Sequence, residues 1–337
     1  MKVLHLPVGR QMIEMCAALR DIGVDATSCH FRERSILQQP DQCLHLERLS
    51  GAERKKQREE FLAEAMEQYD VFHFHFGETF FKDRSDLAIL KNHGKKLVVQ
   101  HRGSDVRMFS VASSFGNPFV RVKGGRRREE NKIRHKLEEL SEYIDHAVVA
   151  DYELYPYIEK YYKYVHVLRQ FITLDKFVPA YPSKDSENPL IIHAPTNPYL
   201  KGTEYVLEAV ERLRRSNIQF DFQLVENMTH DNAIQCYRKA DIIIDQLLQG
   251  SFGVFGLEGM ALGKPVLCYI REELRDKYPP LLPIVNVDPN NLYHVLEQLI
   301  LKPRMRHLIG LASREYIEDY YDSRSLAKDL KQIYMNL

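Results

Sequence analysis

A chain of 337 residues is long for one core, so two domains of ~150 to 170 residues are the natural division. Its 47 Lys and Arg balance 47 Asp and Glu, which excludes a global field that would draw in nucleic acid or anionic lipid; any anion site has to be local. Five scattered cysteines (Cys16, Cys29, Cys43, Cys236, Cys268) without a Cys-x-x-Cys pair argue against a disulfide framework or a structural zinc site and fit a reducing cytosol.

In chain order, residues 3–6 read as a short apolar strand. Residues 10–22 have helical spacing through Met12, Met15, Cys16 and Leu19, and 24–28 form a second strand after the stop at Gly23. A charged amphipathic helix over 54–69 precedes the strand 71–76, then come a further helix and the strand 96–100. Strands at 143–150 and 165–168 flank a helix after Asp151. Prolines 179, 182 and 189 with polar residues interrupt the pattern over 171–188. The alternation then restarts with strand 190–193, helix 203–215, strand 221–225, helix 231–240 and strands 241–245 and 266–270. Two parallel-sheet, doubly wound α/β domains are therefore expected, 1–170 and 171–313. The start Met1 to Pro7 is too short an apolar run for a signal peptide, and no stretch approaches ~18 apolar residues, so a cytoplasmic protein, at most peripheral to a membrane, is expected.

The stretch 249–265, QGSFGVFGLEGMALGKP, reads as a glycine-rich loop entering a short helix that carries one acid, Glu258. Gly250 and Gly253 allow a tight turn and close approach of backbone to a ligand, and N–H groups opening a helix near Gly256 lack intrahelical partners and attract phosphate. An ordinary strand-loop-helix crossover with packing glycines is the bland alternative. A second segment, His193 to Thr203, is again strand, loop and helix start, with Asn197 in the loop and Lys201 beside the helix N-terminus, where a point charge adds to the dipole and free amides. The alternative there is a solvated loop lysine.

Ser251-Phe252-Gly253 together with Glu258-Gly259-Met260-Ala261-Leu262-Gly263-Lys264-Pro265-Val266 resembles the donor-binding signature of glycosyltransferase family 4, Glu-Gly-Phe-Gly, an apolar run, then Glu-Ala-Met-Ala-x-Gly-x-Pro-Val. The resemblance implies the GT-B architecture, two Rossmann-like domains facing across a cleft, the acceptor mostly on the first and the nucleotide-sugar on the second, with the C-terminal helix 314–337 crossing back to the N-terminal domain. It also implies a retaining, metal-independent transfer of a sugar from a nucleoside diphosphate sugar to a glycan, lipid or small-molecule acceptor, with no further cofactor. Glu258 would hold the ribose hydroxyls and Lys201 the diphosphate. The family's first glutamate falls at Gly250 and is missing, its job passing to Asp245, Gln246 or amides of Gly250, Ser251, Phe252 and Gly253. The family arginine before Lys201 is also absent; Asn197, which stands in its region, is expected as a donor contact, and Arg169 as a substitute one. These losses keep open a nucleotide-binding scaffold without transfer, or a sugar-nucleotide epimerase.

In the first half, residues 98–107 resemble the family strand followed by His-Gly-x-Asp, with either His101 or Arg102 in the histidine's place and Asp105 as the acid; a histidine here could donate to the leaving diphosphate or the acceptor. Capping of a turn by Ser104 and Asp105 is the alternative. Gly9 and Arg10 occupy the first β-to-α turn, where the family approaches donor phosphates or acceptor. Asp70, His73 and His75 match its Asp-x-x-His-x-His. His73 and His75 share a strand face, but the sequence offers no third metal ligand, so they are expected as cleft-lining or buried histidines and no metal site is expected. The basic run 121–136 could contact an anionic surface or be a solvated loop; without interleaved aromatics, nucleic acid is not expected.

Overall fold

A computed structural model of the chain describes residues 1–33, 39–123 and 127–337, with the side chains of 127 and 128 left aside. The chain divides into two compact units. The first comprises Met1–Val111, Gly124–Phe171 and Ser323–Leu337. Its strands are β1 (Lys2–Leu6), β2 (Asp25–His30), β3 (Gln42–Cys43), β4 (Val71–His75), β5 (Lys96–Gln100), β6 (His146–Val149) and β7 (Tyr164–Val167). Among the described residues they form one seven-stranded sheet in the order β3-β2-β1-β4-β5-β6-β7, every pairing parallel.

A parallel sheet covered on both faces needs strands apolar nearly throughout, which is why every residue of β4 is buried, its two histidines included. One face packs on the helices Arg10–Asp21 and Ser323–Met335, where Met15, Cys16 and Leu19 meet Leu326, Leu330 and Tyr334 over Val3, Val71 and Val98. Each such buried side chain contributes about 1.5–3 kcal/mol. The helix Gly51–Gln68 begins three residues earlier than its apolar spacing suggests because Ser50 and Glu53 form a reciprocal cap. The strand expected at 143–150 shrinks to β6 because Tyr143 and Ile144 still donate to Leu140 at the end of the preceding helix.

The second unit comprises Ala112–Lys123 and Ile172–Asp322. Its strands β8 (Leu190–His193), β9 (Asp221–Leu224), β10 (Ile242–Ile244), β11 (Val266–Cys268) and β12 (Val285–Asn286) lie in the order β12-β11-β10-β8-β9, all parallel. Strand β11 stops two residues short of expectation because the Asn286 side chain takes both backbone groups of Ile270, at 2.7 and 3.0 Å. The segment Ala112–Lys123 packs within this unit: Asn117 Nδ2 donates to the Leu248 carbonyl (2.9 Å), and the Arg121 guanidinium lies over Tyr199 and pairs with Glu204.

Both sheets are doubly wound, and in such sheets ligands bind outside the carboxyl ends of the strands where the order reverses. The reversal falls between β1 and β4 in the first unit and between β8 and β10 in the second. The loop after β8 carries Asn197 and Lys201, and the loop after β10 carries Gly250 to Gly253.

Candidate functional site

In the second unit, Lys201 ends the short helix Pro198–Lys201 and directs its ammonium to Asp245 Oδ1 at 3.1 Å and Gln246 Oε1 at 2.6 Å. Asp245 follows β10 and is fully enclosed; its other oxygen accepts the Gly253 N–H at 2.6 Å, the amide that caps the helix Val254–Ala261. One carboxylate therefore occupies both a lysine and a helix-opening amide, the two groups that together make an anion cradle. Glycine is required at Gly250, and a side chain at Gly253 would have to push Lys201 aside. A Cβ on Gly253 would lie 2.9 Å from Lys201 Nζ, and Gly250, at φ +88°, would drive one into Arg271 Cγ at 2.3 Å. The aliphatic part of Arg271 thus fills the space a side chain at 250 would take. The loop is tied further by Gln246 Nε2 donating to the Ser251 carbonyl and by Phe252 stacked on Tyr278.

Glu258 lies one turn into the helix, 3% exposed, with Oε1 2.9 Å from His230 Nε2 at the start of the helix His230–Lys239. The sequence reading missed His230, which stands 28 residues away with no local signal connecting the two. Asn197 acts on the backbone: its Oδ1 accepts the Leu200 N–H at 3.1 Å and caps the helix that ends in Lys201. Lys201, Asp245, Gln246 and Gly253 are thus gathered at the carboxyl ends of β8 and β10, and Glu258 stands one turn into the helix that Gly253 caps. Arg169 belongs to the first unit, half-buried after β7.

In the first unit, Gly9 (φ +137°) caps the helix Arg10–Asp21 and its N–H donates to His30 Nε2 at 3.2 Å; Arg10 is half-buried beside it. After β5, His101 is fully buried with both nitrogens engaged, Nδ1 by Asp105 at 2.7 Å and Nε2 by Tyr162 at 2.9 Å. Asp105 also accepts the N–H groups of Arg102 and Gly103, each at 2.9 Å. Burial alone would raise the Asp105 carboxyl, but the hydrogen bond and charge of His101, with Lys136 and the Arg102 amide, outweigh it and hold the group well below the usual carboxylate range. Arg102, half-buried, donates to Gln100 Oε1 at 3.1 Å, and burial lowers its guanidinium to about 9 against the pull of Asp105.

The expectation that His73 and His75 lack a third partner is corrected. His5, on the neighbouring strand β1, is in register with His73, and its Nδ1 sits 3.1 Å from His75 Nε2. The reason is the parallel pairing of β1 with β4, which no period within one strand reveals. Burial first, then Arg102 among nearby charges, holds His5 down at about 3. Burial likewise drives His73 and His75 well below the ordinary imidazole value.

Within the basic run, residues 124–126 and the side chains of 127 and 128 lie outside the described residues. Of the others, Lys132 pairs with Glu129 (3.0 Å) and Arg134 donates to Ser110 Oγ (2.9 Å). Among the described residues no helix is long and apolar enough to cross a membrane.

With the two sheets and their order in place, the two parallel-sheet α/β units match solved structures of the GT-B class. Sucrose-phosphate synthase from Thermosynechococcus elongatus matches with a TM-score of 0.62 at 13% identity, over 100% of this chain and 99% of that one. HepE from Anabaena, solved with UDP and glucose, matches at 0.64 and 11% identity over 100% of both chains. The catalytic domain of starch synthase IV from Arabidopsis thaliana, bound to ADP and acarbose, matches at 0.65 and 10% identity, over 100% of this chain and 99% of that one. No protein-family model matches the chain, and no curated protein sequence matches it.

Proposed function

We propose that the chain is a glycosyltransferase that takes a sugar from a nucleoside diphosphate sugar and passes it to a glycan acceptor. The observation that carries this reading is the grouping of Lys201, the Gly253 amide and Glu258 at the sheet reversal of the second unit, in a fold whose solved examples include complexes with UDP and ADP. In this reading the diphosphate displaces the Asp245 carboxylate from Lys201 and Gly253, and Glu258, held by His230, accepts the ribose hydroxyls. Charge developing on the leaving oxygens is stabilised by a cation and amides fixed in advance, where water competes poorly. The motif resemblance supports family 4 chemistry, with retention of anomeric configuration and no metal at the transfer step; the scattered, unpaired cysteines support a cytoplasmic location. An anionic-surface role for 121–136 belongs to the same reading and is tested by flotation with anionic vesicles.

The direct experiment is a thermal-shift series with UDP, GDP, ADP and their sugar conjugates, since a ligand bound only by the folded state raises the melting temperature. Stabilisation by one nucleotide series, lost in Glu258→Ala, followed by transfer to a glycan with the anomer read by NMR, supports the proposal; no shift with any of them refutes it. One observation favours a second reading, a scaffold that has lost transfer: Asp245 already fills the anion cradle. Asp245→Asn separates the two. A transferase loses turnover or gains nucleotide affinity from a working baseline, whereas a scaffold binds nucleotide only after the substitution and transfers nothing.

A further inference from the structure

Three imidazoles, those of His5 on β1 and of His73 and His75 on β4, meet beneath the helix Ser323–Met335, all fully buried. One ring nitrogen of each lies within 4.8 Å of one on each of the others. The rings of His73 and His75 are stacked at 4.5 Å, and His5 lies 4.5 Å from His73. The Tyr334 hydroxyl joins two of them, 2.7 Å from His73 Nδ1 and 3.0 Å from His5 Nε2.

The hydrogen bonds form one chain: His73 Nδ1 to Tyr334, Tyr334 to His5 Nε2, His5 Nδ1 to His75 Nε2. Its two ends, His73 Nε2 and His75 Nδ1, are enclosed and have no hydrogen-bond partner among the described residues. No choice of tautomers satisfies both, because each neutral ring carries one proton and the neighbouring groups are already in the chain. Buried polar nitrogens without partners are uncommon, and His73 Nε2, an acceptor once Nδ1 donates to Tyr334, points to a missing ligand.

We propose that His5, His73 and His75 bind a single transition-metal ion of the zinc class, with Tyr334 as the outer partner that orients two of the rings. One tautomer set serves every contact to the ion. His5 protonated on Nε2 and His73 protonated on Nδ1 both donate to the Tyr334 oxygen, and His75 carries its proton on Nδ1, which leaves His5 Nδ1, His73 Nε2 and His75 Nε2 unprotonated as the three ligand atoms. The 3.1 Å between His5 Nδ1 and His75 Nε2 is close to the spacing of two ligands about one tetrahedral ion with metal–nitrogen bonds of about 2.0–2.1 Å. Three neutral imidazoles suit zinc, cobalt, nickel or copper and reject magnesium and calcium, which take oxygen. A ring whose far nitrogen is held by an outer group is the usual arrangement of a metal-bound histidine. The Arg102 guanidinium acts on all three rings, and the Asp41 carboxylate offsets it only at His5, where Arg20 adds to Arg102, so the ion's charge is opposed there. The site lies wholly in the first unit and brings strands β1 and β4 and the last helix together; its role is structural and separate from the transfer step.

The test uses the full chain, freed of metal by a chelator and refolded with Co²⁺ or Zn²⁺. Expected are one ion per chain by elemental analysis, visible cobalt ligand-field bands of a nitrogen-ligated site, and a raised melting temperature. His75→Ala removes the ion, whereas His45→Ala, in the partly exposed cluster Glu33, His45 and Glu47, leaves it in place. Should His75→Ala fail to fold, Tyr334→Phe weakens affinity about 10–100-fold, and Arg102→Gln strengthens it. Refolded wild-type chain with native circular dichroism and no bound cobalt overturns the proposal, as does an ion that leaves with His45→Ala.

Discussion

Two turns use the same device to opposite ends. After β5, Asp105 accepts two backbone N–H groups and the ring of His101; after β10, Asp245 accepts the Gly253 N–H and the ammonium of Lys201. The first arrangement is closed, because Tyr162 takes the remaining nitrogen of a fully buried histidine. The second is open on one side: Asp245 is enclosed but the Lys201 side chain is 17% exposed, and in the proposed function a diphosphate arriving from solvent replaces the carboxylate. A carboxylate at a strand end therefore builds shape when its partners are sealed and holds a place for a ligand when its cation reaches water. Substitutions around Asp105 should change stability, and substitutions around Asp245 should change binding.

The largest expected effect lies in the closed turn. Arg107 makes a two-pronged pair with Glu153, at 2.6 to 3.1 Å, and Glu153 is 1% exposed. Arg107→Met leaves that carboxylate buried and unpaired, and urea unfolding should show a loss of ~3–5 kcal/mol. Nucleotide affinity of the folded fraction should be unchanged. Lost affinity at unchanged stability would instead place this turn in the binding machinery and break the comparison.

Acid should expose the same closed turn. Because the folded-state value of Asp105 is depressed, the folded chain binds fewer protons than the unfolded chain across the window below the ordinary carboxylate value. Its contribution is therefore complete above about pH 5 and is lost as pH falls through the folded value. The stability difference between wild type and Asp105→Asn, measured by denaturant at a series of pH values, should shrink from neutral pH toward about pH 3. A gap that stays constant with pH would mean that Asp105 acts through packing alone.

The open site should answer through affinity. Glu258→Ala removes the proposed ribose acceptor and leaves His230, a quarter exposed, to find water, so stability should change little. Nucleoside diphosphate binding by calorimetry should weaken by ~1.5–3 kcal/mol, the range for a hydrogen bond to a charged group. A large fall in melting temperature without ligand would make the His230–Glu258 pair part of the closed class.

How much of this was legible in the sequence follows physical range. Strands Lys96–Gln100 and Leu190–His193 and the helix Thr203–Arg215 stand at their expected bounds, because apolar runs and helical spacing are local signals. The reciprocal cap at Ser50 and Glu53 was also local, a Ser-x-x-Glu before an apolar helix, and was passed over. The rest depends on which strands become neighbours. His5 reaches His75 across 70 residues, Tyr162 reaches His101 across 61, and Lys201 reaches Asp245 across 44. Motif spacing placed Lys201 and Glu258 near the reversal of the second sheet, but not the carboxylate already seated between Lys201 and Gly253. Nor does any composition shift mark Ala112–Lys123 as part of the second unit; its attachment rests on single contacts such as Asn117 to Leu248.

The smallest effect sharpens the comparison most, because it concerns a residue read from sequence as a donor contact that caps a helix in the structure. If Asn197 works only through Leu200, then Asn197→Asp keeps the cap and Asn197→Ala loses it, at a cost of ~1 kcal/mol and about 2–4 °C in melting temperature. The same pair separates the roles in binding. An amide that touches the diphosphate becomes a repelling carboxylate in Asn197→Asp, so affinity falls at full stability. A capping residue gives the reverse order, with Asn197→Asp close to wild type and Asn197→Ala weaker, because the last turn before Lys201 frays and its ammonium is less well held. The second order is expected, since the Asn197 oxygen is committed to the backbone and the four-residue helix it starts is too short to persist without a cap.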